Sequence, residues 1–330
     1  MNTMDWSRQT VLVTGAGGFI GSHLTERLIA LGARTRALVR YNSANSWGWL
    51  DSSPVKSDIE VFLGDIRDQD SLQKAFRGVD IVFHLAALIA IPYSYHAPLS
   101  YVRTNVEGTL NVLQMARDAG VRLVVHTSTS EVYGTARYVP IDEEHPLQGQ
   151  SPYSASKIAA DKLAEAFHLS FALPVAIIRP FNTFGPRQSA RAIIPAIVTQ
   201  ALTQPEVHLG SLEPTRDFTH VADTVEGFIR IAECPEVIGK AINIGSGQDI
   251  LIGDLAKTIL HLIGKEMPII RDNERLRPEN SEVERLCADN RKAREILGWQ
   301  PRYSLRDGLT HSIEWLEENL ERYRLGVYTI

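Results

Sequence analysis

The chain has 330 residues, 44 % hydrophobic and 22 % charged, ordinary proportions for a globular protein. A net charge of −5 without any basic block disfavours nucleic-acid and membrane-surface binding, while leaving room for small anions held by a few arginines. Cys234 and Cys287 are too few for a disulfide framework or a metal site and read as reduced thiols; with no membrane-length apolar run and no h-region in the polar Met1–Thr10, a cytoplasmic protein is expected.

Thr10–Thr14 reads as a buried strand, and Phe19–Leu31 carries Ile20, Leu24, Leu28 and Leu31 at helical spacing. Apolar runs at Thr35–Val39, Ile59–Leu63, Ile81–Leu85, Leu123–His126 and Val175–Ile178 then alternate with amphipathic stretches at Asp70–Phe76, Ser100–Ala119 and Ala155–Phe171. Near-continuous apolar strands separated by helices predict a doubly wound, parallel α/β sheet of the Rossmann type. From Pro186 the rhythm changes. Helices are expected at Ala192–Leu202, Val221–Ala232, Ile252–Ile263, Asn290–Leu297 and Leu305–Leu320, with short strands at Val207–Gly210 and Ala241–Ile244. A dinucleotide domain over 1–186 and 219–248 and a smaller C-terminal lobe over 187–218 and 249–330 follow from that pattern.

Gly15, Gly18 and Gly21 stand at Gly-x-x-Gly-x-x-Gly spacing between the first strand and the first helix, with Phe19 and Ile20 opening the helix. That context suits a turn with positive φ, close approach of backbone to a pyrophosphate, and a helix N-terminus facing the anion. NAD or NADP is the expected cofactor. The second strand ends in Arg40 with no acid beside it, and an arginine there can pair with the 2′-phosphate of NADP, or merely stack on adenine. Asp65, before Ile66, is placed either to accept from an adenine amino group or to cap a helix.

Tyr153 and Lys157 form a Tyr-x-x-x-Lys pair on one helix face. A free phenol titrates near ~10, so it acts as a base at neutral pH only if neighbouring positive charge favours the phenolate. Thr127, Thr129, Ser130 and Glu131 end the apolar strand Leu123–His126, where ligand groups of doubly wound folds gather. Thr129, Ser130, Glu131, Tyr153 and Lys157 are therefore expected in one crevice.

With these motifs the sequence resembles the extended short-chain dehydrogenases/reductases that act on nucleotide-sugars, along almost its whole length. The resemblance includes Gly15–Gly21, Gly64-Asp65, His84-Leu85-Ala86-Ala87, Asn105, Thr127–Gly134, Tyr153–Lys157, Arg179–Asn182, Gly185-Pro186-Arg187, Arg216-Asp217-Phe218 with His220–Asp223, and Leu297-Gly298-Trp299. Thr129-Ser130-Glu131 looks like the corresponding run of 4,6-dehydratases. Ile89–Tyr95 and Ser189-Ala190-Arg191 are similar to dehydratases of nucleotide-linked N-acetylglucosamine in legionaminic acid biosynthesis.

The resemblance implies that Tyr153 takes the C4 hydroxyl proton, Thr129 holds that hydroxyl, and Lys157 binds the nicotinamide ribose. Glu131 would remove the C5 proton and, with Ser130 in place of the relatives' Asp, also protonate the departing C6 hydroxyl. It implies a tightly bound, recycled cofactor touching Leu85, Ala86, Ala87 and Asn105. It also implies a nucleotide-diphosphate sugar held by Ser94, Asn182, Arg187, Arg216 and Arg277, and a homodimer packed through the helices near Ser100–Ala119 and Ala155–Phe171. A UDP-glucuronate decarboxylase, a class that shares the Thr-Ser-Glu and Tyr-x-x-x-Lys set, ranks second, because the run Pro92–Tyr95, read as a pocket loop, offers hydroxyls but no arginine for a carboxylate. A 4-epimerase ranks third, because Glu131 would have no task there; a non-catalytic dinucleotide sensor would usually have lost Tyr153 or Lys157.

Overall fold

The structure, a computed structural model, describes residues 4–323; the first three and last seven residues of the expected domain partition lie outside that range. The strands are β1 (Thr10–Thr14), β2 (Arg34–Arg40), β3 (Glu60–Gly64), β4 (Ile81–His84), β5 (Leu123–Thr127), β6 (Val175–Pro180), β7 (Asn182–Phe184), β8 (Val207–Leu209), β9 (Thr215–His220), β10 (Ala241–Ile244), β11 (Asp249–Leu251) and β12 (Ile269–Arg271). Seven of them form one sheet in the order β10-β6-β5-β4-β1-β2-β3, every neighbouring pair parallel. The Rossmann-type sheet expected from the alternation of apolar strands and helices is present.

Side-chain alternation decides how that sheet is covered. Val11 and Val13 of β1 face one side, with Leu24, Leu28, Phe228 and Trp299. Leu12 faces the other, with Val112, Leu113, Ala164 and Phe167. The helix Arg291–Leu297 and Trp299 pack on the first of these cores, although they follow the second lobe's elements in the chain. The smaller lobe has its own core around Phe184, Ile197, Val198, Leu255, Ile259 and Leu309, beside a β11-β9-β7 sheet and a β12-β8 pair.

Two helical expectations change. Ser100–Ala119 is broken into Pro98–Tyr101, a π-helical turn over Val102–Glu107, and Gly108–Asp118. The wide turn carries Asn105, whose side-chain amide donates to Leu88 O and Ser156 Oγ and whose carbonyl oxygen accepts from Leu88 N–H. A π-turn is how a helix admits such a diversion without breaking. Ile91–His96, read from sequence as a loop, is a short helix with Pro92 in its first turn, where proline costs no hydrogen bond.

The junction between the lobes depends on Asp217 in β9, whose carboxylate is fully buried. It accepts from Ser246 N–H (2.8 Å) and Oγ (2.6 Å), Gly247 N–H (2.9 Å) and Ala288 N–H (3.0 Å). Hydrogen bonds to a charged group each contribute about 1.5–3 kcal/mol, and stranding buried donors adds to the loss. Asp217→Ala is expected to destabilise the protein by more than ~3 kcal/mol, with a lowered thermal midpoint in calorimetry; an unchanged midpoint would refute the structural role given to Asp217.

Candidate active site

A cleft of about 1030 Å³ opens beyond the carboxyl ends of β1, β4, β5 and β6 and runs on between the two lobes. This is where the reversal of strand order at β1 leaves a crevice. Its floor begins with the turn after β1. Gly15 has φ of +71°, and a Cβ there would stand 2.8 Å from Ala86 N; a Cβ on Gly21 would stand 2.2 Å from Gly15 O. These positions need glycine to let helix Phe19–Ala30 sit against the strand. Gly18, its N-cap, supplies no side-chain hydrogen bond, so the first N–H groups of the helix face the cleft beside Gly15, Phe19, Ile20 and Gly21. Thr127 Oγ1, buried in the same wall, has no hydrogen-bond partner in the protein. The uncapped helix end, the glycine cradle and this orphaned hydroxyl fit a dinucleotide.

Arg40, Leu85 and Ala87 also line the cleft, and the charge of Arg40 reaches the Asp65 carboxylate. Asn42, Ser46, Trp47 and Gly48 complete that end; Gly48 N–H lies within the turn and Trp49 N–H donates to Gly17 O (3.0 Å). Four of the residues expected near the cofactor stand back from the cleft surface. Asp65 is bound bidentately by Arg67 (2.6–3.1 Å) and accepts from Arg67 N–H, while the helix that follows is capped by Asp68, so Asp65 does not take the helix-capping role expected of it. Ile66 packs into a hydrophobic core, Ala86 donates its N–H to Thr14 Oγ1, and Asn105 pins Leu88 from behind.

The reaction end combines β5 with helix Pro152–Phe171. Thr129 caps the turn Ser130–Tyr133: its Oγ1 accepts from Glu131 N–H (3.3 Å), and its side chain also hydrogen-bonds to Tyr153. Ser151 and Ser154 form a reciprocal capping box that fixes the first turn of the helix. Tyr153 and Lys157 are 7 % and 4 % exposed. Lys157 Nζ donates to Thr127 O (2.6 Å). Thr129, Ser130, Glu131, Tyr153 and Lys157 thus share one wall. The negative charge of Glu131 is felt by both Tyr153 and Arg216, which line the same cleft.

Burial works against both members of the pair. It pushes the Tyr153 phenol well above its ordinary value, only partly offset by the Thr129 hydrogen bond, and it pushes the Lys157 ammonium down to about 8. The sequence argument that the lysine holds the tyrosine acidic therefore meets a larger opposing effect, desolvation.

At the other end Asn182, Arg216 and Arg277 line the cleft. Arg216 and Arg277 both reach Glu282 Oε1, at 3.0 and 3.3 Å. Ser94 is buried, donating to Ile91 O, and Arg187 pairs with Glu26 (3.0 Å) and donates to Ser22 Oγ, so neither lines the cleft. Sequence reasoning did not single out Gln188, Leu209, Ser211, Pro214, Arg275 or Glu282 of the wall. It also did not bring Arg191 to it. Arg191 Nε donates to Ser189 Oγ (3.3 Å), its guanidinium has no ion-pair partner among the described residues, and its charge reaches the Tyr101 hydroxyl. The Tyr101 ring meets Tyr153 edge-on at 6.2 Å.

Residues 12–312 match the family model described as GDP-mannose 4,6 dehydratase. The chain belongs to this family. It lies within the extended short-chain dehydrogenases/reductases, whose members are NAD-dependent nucleotide-sugar dehydratases, epimerases and decarboxylases. It is 35 % identical to a UDP-glucose 4-epimerase of Mycolicibacterium smegmatis over 92 % of this chain and 97 % of that protein. It is 30 % identical to UDP-glucuronic acid decarboxylase 1 of Xenopus tropicalis over 97 % of this chain and 75 % of that protein. The crystal structure of the dTDP-glucose 4,6-dehydratase DesIV from Streptomyces venezuelae, with NAD bound, superposes with a TM-score of 0.86 at 32 % identity, covering 96 % of this chain and 99 % of that one. No helix among the described residues is long and apolar enough to cross a membrane.

An ammonium lowered to about 8 loses its proton just above neutral pH. Turnover is expected to fall with rising pH through an upper limb near pH 8 in the pH–kcat profile; a flat profile up to pH 10 would separate Lys157 from the rate.

Proposed function

We propose that the chain is a nucleotide-sugar 4,6-dehydratase acting on a GDP- or UDP-linked N-acetylglucosamine-type hexose. The observation that carries this reading is Glu131 on the same wall as Thr129 and Tyr153. A carboxylate beside the C4 chemistry has work where a proton must leave or reach C5, and elimination of water needs its removal. When bound, the nicotinamide supplies a temporary hydride acceptor for C4 and gives the hydride back at C6. Thr129 holds the C4 hydroxyl and Tyr153 removes its proton, leaving a ketone that acidifies the neighbouring C–H. Glu131 takes the C5 proton. The same carboxylic acid, with Ser130 beside it, returns that proton to the C6 oxygen, which leaves as water. A base or acid placed in this way contributes about 10²–10⁴-fold.

Arg216 and Arg277 supply planar, charge-assisted donors for the diphosphate, with Asn182 toward the sugar. Arg187 and Ser94 act one layer behind, Arg187 through Glu26 and Ser22 and Ser94 through the turn at Ile91. Arg40 in place of an acid favours a 2′-phosphate, hence NADP, with NAD as the alternative. Asn105, Ala86 and Ile66 shape the cofactor's seat, and Asp65 caps the turn beyond it. We further read the segments 1–186 and 219–248 as the dinucleotide domain and 187–218 with 249–330 as the sugar lobe, except that helix Arg291–Leu297 and Trp299 of the last segment pack back on the sheet. The enzyme works as a cytoplasmic homodimer packed through the helices around 98–118 and 152–171.

A second reading has an observation of its own. Decarboxylation of a uronate ranked lower on sequence because the run Pro92–Tyr95 lacks an arginine, yet Arg191 supplies a guanidinium to the cleft from a different segment. That cation suits a C6 carboxylate.

A panel of GDP- and UDP-hexoses followed by mass spectrometry separates the readings. A 4-keto-6-deoxy product carrying solvent deuterium at C5 is expected. Carbon dioxide from a UDP-uronate, abolished in Arg191→Ala, would instead establish the decarboxylase. Glu131→Gln is expected to slow dehydration by at least ~100-fold; near wild-type dehydration by that variant defeats the assignment.

For the cofactor, Arg40→Ala should weaken NADP binding about 10-fold or more while leaving NAD within a few-fold, by isothermal titration. Equal losses for both would take Arg40 out of the choice.

A further inference from the structure

Behind the reacting pair lies a buried group of charges that the proposed chemistry does not use. Asp161 follows Lys157 by one helical turn and has no exposed surface. Its Oδ2 accepts from Ser128 Oγ (2.7 Å) and from Arg179 Nε (3.3 Å) and Nη2 (3.2 Å). Its Oδ1 stands 3.2 Å from His126 Nε2, off the line of a good hydrogen bond. Arg179, 3 % exposed, also donates from Nη1 to the Tyr133 hydroxyl (3.0 Å), which in turn donates to Asn243 Oδ1 (2.7 Å).

Ser128 is the link that matters. It lies between Thr127, whose carbonyl oxygen holds Lys157 Nζ, and Thr129, whose side chain holds Tyr153. One carboxylate therefore anchors the three-residue segment on which both reacting side chains depend.

We propose that Asp161 is a positioning residue of the reaction centre: through Ser128 it fixes the strand end that holds Tyr153 and Lys157, and, paired with Arg179 one helical turn from Lys157, it supplies the buried negative charge that favours the Lys157 ammonium. The charges support this role. Lys157 and Arg179 are two buried cations facing one anion. The groups packed around Lys157 from other elements are His84 of β4 and His126 of β5, both held below their ordinary values chiefly by burial and so neutral. Tyr153 on the same helix is a neutral phenol, with Tyr101 and Glu131 on its far side. Burial drives Lys157 down, and Asp161 opposes that drop. Burial would raise the Asp161 carboxyl, but His126, Arg179 and Lys157 together hold it below its usual range. When Tyr153 yields its proton, two anions face two cations, so the phenolate completes a neutral set instead of adding an unpaired charge.

The inference rests on Tyr153 and Lys157 being the reacting pair, but its first test needs no substrate. In protein labelled with ¹³C at lysine Cε, the eight lysines of the chain give few signals, and Lys157 is assigned by its loss in Lys157→Arg. In Asp161→Asn the Lys157 titration midpoint is expected to fall by at least one pH unit, roughly a tenfold change in proton affinity. The upper limb of the pH–kcat profile should move with it. A folded Asp161→Asn with the wild-type midpoint overturns the charge role.

Because Asp161→Asn strands Arg179 and can fail to fold, Ser128→Ala is the second variant. With circular dichroism like the wild type, it should lose at least tenfold in kcat on the GDP- or UDP-N-acetylglucosamine that the wild type converts, with KM changed less than twofold. A kcat within twofold of wild type overturns the positioning role. If neither nucleotide-sugar is converted by the wild type, the dehydratase reading fails while the lysine titration still decides the inference.

Discussion

The constraint on which this structure depends is the cost of burying ionisable groups that must change charge. A phenol and an ammonium taken out of water both drift toward their neutral forms, and shifts of a few pH units correspond to several kcal/mol. Tyr153 and Lys157 are almost wholly covered, and burial moves each in the direction that opposes proton abstraction. A site that excludes water strengthens every interaction inside it, so the same burial that opposes ionisation also makes each placed donor count. The Thr129 hydroxyl, the Thr127 carbonyl and the carboxylate of Asp161 are therefore to be understood together. They are the fixed dipoles and charge that stand in for the lost solvent.

That arrangement accounts for where the fold puts its effort. The end of β5 carries Thr127 to Glu131, and the helix Pro152–Phe171 lies beside it with its first turn locked by the Ser151–Ser154 capping box. Asn105 uses a π-helical turn to brace Leu88 and Ser156 from behind the same helix. On the other side of the cleft, the glycines at 15 and 21 bring helix Phe19–Ala30 against β1, close enough that a methyl group at either position would strike backbone. The cofactor end is thus shaped by what is absent from two side chains. The reaction end is shaped by a dense set of hydrogen bonds.

The sheet was legible because its strands are buried on both faces and say so: TVLVT and IVFH need no context to be read as parallel core strands. That Thr129, Ser130, Glu131, Tyr153 and Lys157 share one wall was legible because a strand end and a helical i, i+4 pair place them by local geometry alone. What escaped has a common physical cause. β9 reads TRDFTH, and its Arg216 and Asp217 are buried against Glu282, Ser246, Gly247 and Ala288, which meet them from farther along the chain. Arg191 likewise enters the cleft from a segment whose sequence gives no sign of facing Tyr101. Asp65 could be placed near the adenine by sequence spacing, but Arg67, two residues on, occupies both of its oxygens. Long-range partners and local competitors are the two things that spacing does not reveal.

The family's range of reactions has a simple basis in this geometry. In the proposed chemistry, oxidation at C4 would need Tyr153, Lys157, Thr129 and the nicotinamide, a step that dehydratase, decarboxylase and epimerase readings share. Everything after the ketone depends on what stands over C5 and C6. A bare wall lets the sugar turn and take its hydride back on the other face. A cation draws a carboxylate into position to leave as carbon dioxide. A carboxylate removes the C5 proton and expels the C6 oxygen. This cleft holds both a carboxylate, Glu131, and a cation, Arg191, so residue type alone does not separate elimination from decarboxylation. The charge of Glu131 acts on Tyr153, and that of Arg191 on Tyr101, whose ring meets Tyr153 edge-on. The dehydratase reading proposed above rests on the first of these, a carboxylate on the same wall as the phenol.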